Sequence, residues 1–262
     1  MTIVHSPSSM VNGSYNHPLL TAILYTGILY FCPTIPHMKK ILFISAVLFS
    51  CFAFIPQKKK RVIFFGDSIT ELGVKRDRYV GYILKMDSML KLDKKADQYE
   101  LIGSGISGNK VYDLYLRMEE DVLSKNPDVV VIYVGVNDVW HKTLLGTGTD
   151  ADKFEIFYQA IIKKLLDRNI KVILCTPAVV GEKNDMSNAL DGDLNRYSNI
   201  IRGLAKKNNL PLIDLRKKFL DYLDKNNPEN KEKEVLTYDR VHMNDKGNQL
   251  LAELMLKALK DL

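Results

Sequence analysis

The chain has 262 residues, 46% of them hydrophobic and 26% charged, with 15 Gly and 9 Pro. That is the make-up of a folded soluble protein and excludes a disordered tail, a collagen-like repeat and a multi-span membrane protein. Its formal charge of +6 does not mark a nucleic-acid binder. Lys39, Lys40, Lys58, Lys59, Lys60 and Arg61 are the only Lys, Arg, Asp or Glu in 1–61, so the remainder carries 31 basic against 31 acidic residues and has no excess to attract polyanions. Three cysteines, Cys32, Cys51 and Cys175, are too few and too scattered for a disulfide framework or a zinc cluster. Cys175 lies in an apolar run and is expected to be a plain buried thiol.

In sequence order, the first feature is an apolar stretch at 41–55, ILFISAVLFSCFAFI, preceded by Met38-Lys39-Lys40 and ended by Pro56. Fifteen helical residues rise only about 22 Å against a bilayer core of about 30 Å. A charged start and a short apolar run therefore read as an export signal at 38–60, with 1–37 an upstream extension outside the fold. Leu48-Phe49-Ser50-Cys51 resembles a loose bacterial lipobox, which would make Cys51 a lipid anchor; an ordinary leader cysteine is the other reading. The expectation is an exported protein, periplasmic, secreted or lipid-anchored at the envelope. It would touch a membrane only through that anchor or an uncleaved leader.

From 61 to 262 short apolar runs alternate with helix-period segments. Strands are expected at 62–65, 99–103, 128–134, 171–176 and 212–214. Helices are expected at about 77–92, 109–124, 151–168, 188–208, 215–225 and 244–261, with loops at 135–150 and 177–187. Repeated strand–helix alternation with two-sided apolar strands predicts a mainly parallel five-stranded sheet covered by helices on both faces. Such sheets bind ligands beyond the carboxyl ends of their strands.

Chemistry-bearing residues fall at those ends. Gly66-Asp67-Ser68-Ile69-Thr70 follows strand one, Gly105 and Gly108 follow strand two, Gly135-Val136-Asn137-Asp138 follows strand three, and Asp239-Arg240-Val241-His242 precedes the last helix. A serine hydroxyl needs a hydrogen-bonded base to act as a nucleophile. His242 can supply it, with Asp239 fixing the tautomer and stabilising the imidazolium. The backbone N–H groups of Ser68 and Gly105 and the side-chain amide of Asn137 are candidate donors to a developing oxyanion. Each piece alone has a plain reading: Asp67 or Ser68 as a helix cap, the glycines as turn residues, Asn137-Asp138 as a turn, His242 as a surface histidine. Their joint placement favours catalysis.

These blocks resemble the SGNH hydrolase (GDSL esterase/lipase) family across essentially all of 61–262. Gly66-Asp67-Ser68-Ile69 resembles its first block, Gly105 its second, Gly135-Val136-Asn137-Asp138 its third and Asp239-x-x-His242 its last, while Gly103 stands where the family often has Asn. The resemblance implies a three-layer α/β/α sandwich of flavodoxin-like type, hydrolysis of esters or thioesters, and no cofactor or metal. Gly66-Asp67-Ser68-Ile69-Thr70 is not G-x-S-x-G, so the α/β-hydrolase elbow is excluded.

The substrate is less legible. Asp67, Trp140 and His141 are candidate substrate contacts; an indole suits a sugar ring or an acyl wall, and loop packing is the other reading of Trp140. An exported member without a long apolar lid most resembles the family's carbohydrate O-acetylesterases and small-acyl esterases. A lysophospholipase or thioesterase, and a non-catalytic carbohydrate-binding protein on the same fold, are the alternatives. No nucleotide-binding G-x-x-x-x-G-K-[ST] loop is present.

Overall fold

The computed structural model describes residues 58–262. The leader, Cys51 and the upstream extension lie outside the described residues. Val62, Ile63, Phe64 and Phe65 have no exposed surface, and a strand buried on both faces belongs in the middle of a parallel sheet. They form β1, Lys60–Gly66, which starts two residues before the strand expected from sequence. It lies between β2 (Tyr99–Gly105) and β3 (Val129–Tyr133), with β4 (Lys171–Cys175) and β5 (Leu212–Ile213) beyond. The order β2-β1-β3-β4-β5 is parallel throughout. β2 is only half-buried, as an edge strand should be.

Register brings the strand ends level. Gly66 pairs with both Gly105 and Tyr133, Tyr133 with Cys175, and Cys175 with Ile213. All five strands therefore end at one rim. The polypeptide runs from β1 outward to β2 and then back across to β3, so the strand order reverses beside β1 and opens a crevice at the carboxyl ends of β1 and β3.

The helices are α1 (Ser68–Gly73), α2 (Tyr82–Leu92), α3 (Val111–Asp121), α4 (Val136–Leu144), α5 (Ala151–Leu166), α6 (Asp191–Lys207), α7 (Leu215–Asn226) and α8 (Asp245–Lys260). α2 packs on α8, while α3, α5 and α6 form a row. Right-handed crossovers place these two groups on opposite faces, giving the expected three layers. Caps start several helices: Asp67 accepts from Ile69 N–H at α1, Asp214 from Lys217 N–H at α7, and Asn244 from Gly247 N–H at α8.

Two expectations are corrected. The helix expected from 77 begins at Tyr82, because Arg76 and Val80 pair in a short bridge first. The 135–150 loop contains α4. Val136, Asn137, Asp138 and Val139 are all buried, and two of these four first-turn side chains are polar, so burial there does not follow the apolar residues from which sequence patterning reads it. Cys175 is a buried free thiol, as expected, and burial holds its pKa far above the ordinary value. Among the described residues, no helix is long and apolar enough to cross a membrane.

Candidate active site

Ser68 opens α1 immediately beyond β1, where the backbone turns from strand to helix and Asp67 closes the turn. Its Oγ lies 2.9 Å from His242 Nε2, and His242 Nδ1 lies 2.7 Å from Asp239 Oδ2. Asp239 also accepts the backbone N–H of His242 at 2.7 Å and of Val241 at 3.1 Å through Oδ1. A three-residue step thus folds the carboxylate back onto its own imidazole. Burial pushes the Asp239 carboxyl upward, but the His242 ring and the two backbone N–H groups outweigh it and hold the group below the usual carboxylate range.

The loop carrying this pair is held from below. Glu182 is buried in the loop after β4. Its carboxylate accepts backbone N–H groups from Val235 (2.8 Å), Leu236 (2.7 Å) and Thr237 (2.6 Å). Gly181 N–H donates to Arg240 C=O, and Tyr238 N–H to His242 C=O. Outside the imidazole, the Tyr238 ring stacks on His242 with centroids 5.8 Å apart, Tyr79 lies 6.0 Å from Tyr238, and the Arg78 guanidinium sits over Tyr238 at 4.8 Å.

The third part is the turn after β2. Ile106 N–H donates to Gly66 C=O, and Ser107 N–H to the Glu71 carboxylate on α1. The turn therefore rests on the strand-to-helix segment that bears Ser68. Asn137, buried in the first turn of α4, donates through Nδ2 to Asn109 C=O at 3.1 Å and keeps its second amide hydrogen free for another acceptor. Ser68 N–H, at the first helical position, has no acceptor within its own helix.

The structure corrects the reading of Gly105. Gly66 pairs with Gly105 in register, and in a parallel ladder its own N–H and C=O bond to the residues on either side of its pair, Ser104 and Ile106. The N–H of the intervening Gly105 consequently points away from β1. Glycine is needed there for close approach instead: a Cβ would lie 2.1 Å from Glu71 N and 2.6 Å from Asp67 O. The glycine on the site side is Gly108, with φ +77° and only His141 Cε1, at 3.7 Å, near the position of a Cβ. The Gly-Ser-Gly-Ile-Ser-Gly run held both glycines, and only register and backbone angle tell them apart.

The remaining candidates fall unevenly around this centre. His141 reaches the Gly108 turn, and burial, then the nearby Lys110 charge, lower its pKa. Trp140 is half-buried against the core. Asp67 is buried, its carboxylate bonded to Ile69 N–H at 3.0 Å. Burial lifts its pKa to about 7, with Asp138 adding repulsion while Ile69 N–H and His242 oppose. It works beneath Ser68 as a cap and does not reach outward as a substrate contact. Asp138 is likewise pushed to about 7 by burial and accepts Val111 N–H at the start of α3. Glu182 escaped sequence reading because nothing local marks a carboxylate whose acceptor role depends on a loop some fifty residues away.

Known proteins share the sequence and the fold. Residues 64–250 match the GDSL-like Lipase/Acylhydrolase family. An acetylxylan esterase of Geobacillus stearothermophilus is 28% identical over 214 residues, covering 76% of this chain and 94% of that protein. The crystal structure of the acetyl xylan esterase AlAXEase is 66% identical with a TM-score of 0.74, covering 76% of this chain and 99% of that one. The structure of Axe2, an acetylxylan esterase from Geobacillus stearothermophilus, is 26% identical with a TM-score of 0.67, covering 76% and 94%. Since the match takes in most of the chain and spans both Ser68 and His242, this protein belongs to the GDSL-like lipase/acylhydrolase family.

Proposed function

We propose that the protein is a serine esterase that removes acetyl groups from carbohydrates. The observation that carries the reading is the unbroken series of contacts from Ser68 Oγ to His242 Nε2 and from His242 Nδ1 to Asp239 Oδ2, set at the rim where the strand order reverses. Ser68 attacks the ester carbonyl while His242 takes its proton, and Asp239 stabilises the imidazolium. The tetrahedral oxygen is received by Ser68 N–H, Gly108 N–H and Asn137 Nδ2. His242 then protonates the departing sugar oxygen, freeing it as a hydroxyl, and water, deprotonated by the same ring, releases acetate from Ser68 through a second oxyanion.

For the substrate, the support is the likeness to two acetylxylan esterases, one of them 66% identical. The part-exposed Tyr79 and Tyr238 beside His242 add rings whose apolar faces and hydroxyls suit a sugar. Export is part of the proposal and rests on the sequence of the leader at 38–60, with Cys51 lipidation as its finer form; an acetylated polysaccharide is met outside the cell.

The test is hydrolysis by the full-length protein of a p-nitrophenyl ester series and acetate release from acetylated xylooligosaccharides. Acetyl preference is expected, with a loss of about a thousandfold or more in Ser68→Ala. A peak at eight carbons or longer would favour the lysophospholipase or thioesterase reading. Substantial turnover by Ser68→Ala would remove Ser68 as nucleophile.

A further inference from the structure

Arg117 lies on α3, beside the buried stripe of Val111, Leu114 and Met118, and is bound in a way that surface arginines are not. Nε donates to Asn109 Oδ1 (2.7 Å). Nη1 donates to Ser104 Oγ (3.2 Å) and to the Asp121 carboxylate (2.5 Å), and Nη2 to Gly66 C=O (2.8 Å) and Ser104 C=O (3.1 Å). A guanidinium has five N–H donors in one rigid plane, and these five bonds use all of them. The plane lies over the Phe65 ring at 4.6 Å, and the side chain is only 15% exposed.

The acceptors share a property that packing alone would not require. Gly66 is two residues before Ser68. Ser104 is the last residue but one of β2, ahead of the Gly108 turn. Asn109 directly follows Gly108, and its backbone carbonyl holds the Asn137 amide. One planar group therefore sets the spacing between the segment carrying Ser68 N–H and the segment carrying Gly108 N–H, and through Asn109 it reaches Asn137. The Ile106 and Glu71 bonds also join the turn to the segment of Ser68, but of the three ties only Arg117 reaches Asn109. β2 stops at Gly105, and the turn beyond it is tied to the nucleophile segment by Ile106, by Glu71 and by Arg117.

We propose that Arg117 is a positioning residue for the oxyanion-binding face, holding the donors of three strand ends in register without touching the substrate. The proposal rests on the esterase reading above. Misplacement by about 1 Å costs on the order of a hundredfold in rate. Arg117→Ala in the full-length protein is therefore expected to lower kcat about tenfold to a hundredfold on an acetyl ester, with KM within about twofold. The loss should overlap with that of Asn137→Ala, so that the double variant is less impaired than the product of the two singles. Millimolar guanidinium should partly restore Arg117→Ala through the vacated, solvent-edged slot, and methylammonium should not. Arg117→Lys keeps the charge on one nitrogen that cannot span the three segments, and should remain below wild type by several-fold; it carries the test if the alanine variant fails to fold. Wild-type kcat in both variants overturns the proposal, as does a fully multiplicative double variant with no guanidinium effect, while Ser68-dependent activity leaves the esterase reading intact. A wild-type protein without esterase activity would overturn both.

Discussion

Asn137→Ala separates the two things the Asn137 side chain does. It is buried, and one amide hydrogen is already committed to Asn109 C=O at 3.1 Å. Truncation leaves that carbonyl short of a partner and opens a small void, costing about 1–2 kcal/mol of stability. For a domain of this size that lowers Tm by roughly 2–8 °C. The other amide hydrogen is assigned to the oxyanion. Losing one such donor costs about 2.7–4 kcal/mol of transition-state stabilisation, a factor of about 100–1,000 in kcat. Acylation and deacylation both pass through an oxyanion, so kcat falls whichever step limits turnover. KM should stay close to wild type, because the ground-state carbonyl does not yet carry the charge that the amide stabilises. Steady-state kinetics on an acetyl ester, with a thermal melt of the same samples, checks both effects. The reasoning is refuted if KM rises tenfold at constant kcat, which would make the amide a ground-state contact. It is also refuted if Tm drops as stated while kcat changes by less than about threefold, which would make Asn137 purely structural.

Two further outcomes come from the groups beneath the site. Glu182→Ala strips acceptors from the N–H groups of Val235, Leu236 and Thr237. Each buried N–H left unpaired costs about 1–3 kcal/mol, so the melt should fall by at least several degrees, with kcat lowered because the Asp239–His242 loop loses its support; an unchanged melt and unchanged kcat would refute this. Asp138 and Asp67 keep their protons to about pH 7 in the fold because burial opposes ionisation, whereas in the unfolded state they ionise near 3.8. Between those values the unfolded state binds fewer protons, so their contribution to stability falls as pH rises, by at most about 1.4 kcal/mol per pH unit for each group. Asp138→Asn keeps an acceptor for Val111 N–H and removes one of these ionisations. Its Tm relative to wild type should therefore climb from pH 4 to pH 7, and parallel curves across that range would contradict the assignment.

How much of this was legible in the sequence depended on whether the physics was local. The strands were, because a parallel strand covered on both faces must be apolar at every position, and Val62 to Phe65 and Val129 to Tyr133 are. Asp239 and His242 were, since a carboxylate three residues before an imidazole can fold back onto it without help from distant segments. Asn137 was singled out by its place after β3, although the helix that carries it was not foreseen: its first turn buries two polar side chains, and sequence patterning reads burial from apolar residues. Gly105 and Gly108 mark where local patterning stops. Both sit in one short run and both favour glycine, one because α1 presses its backbone against the Cβ position and the other because its φ is positive. Composition cannot rank two preferences of different origin. Arg117 and Glu182 lie wholly beyond that point. Each is an ordinary charge in its own segment and acquires a function only when the fold brings distant backbone groups around it. The candidate reacting groups of this site are thus encoded in short motifs because strand ends are local features. What holds those ends at the right spacing is encoded in single charged residues far from them, and a search of this fold for residues that tune rate should begin with its buried, fully bonded charges.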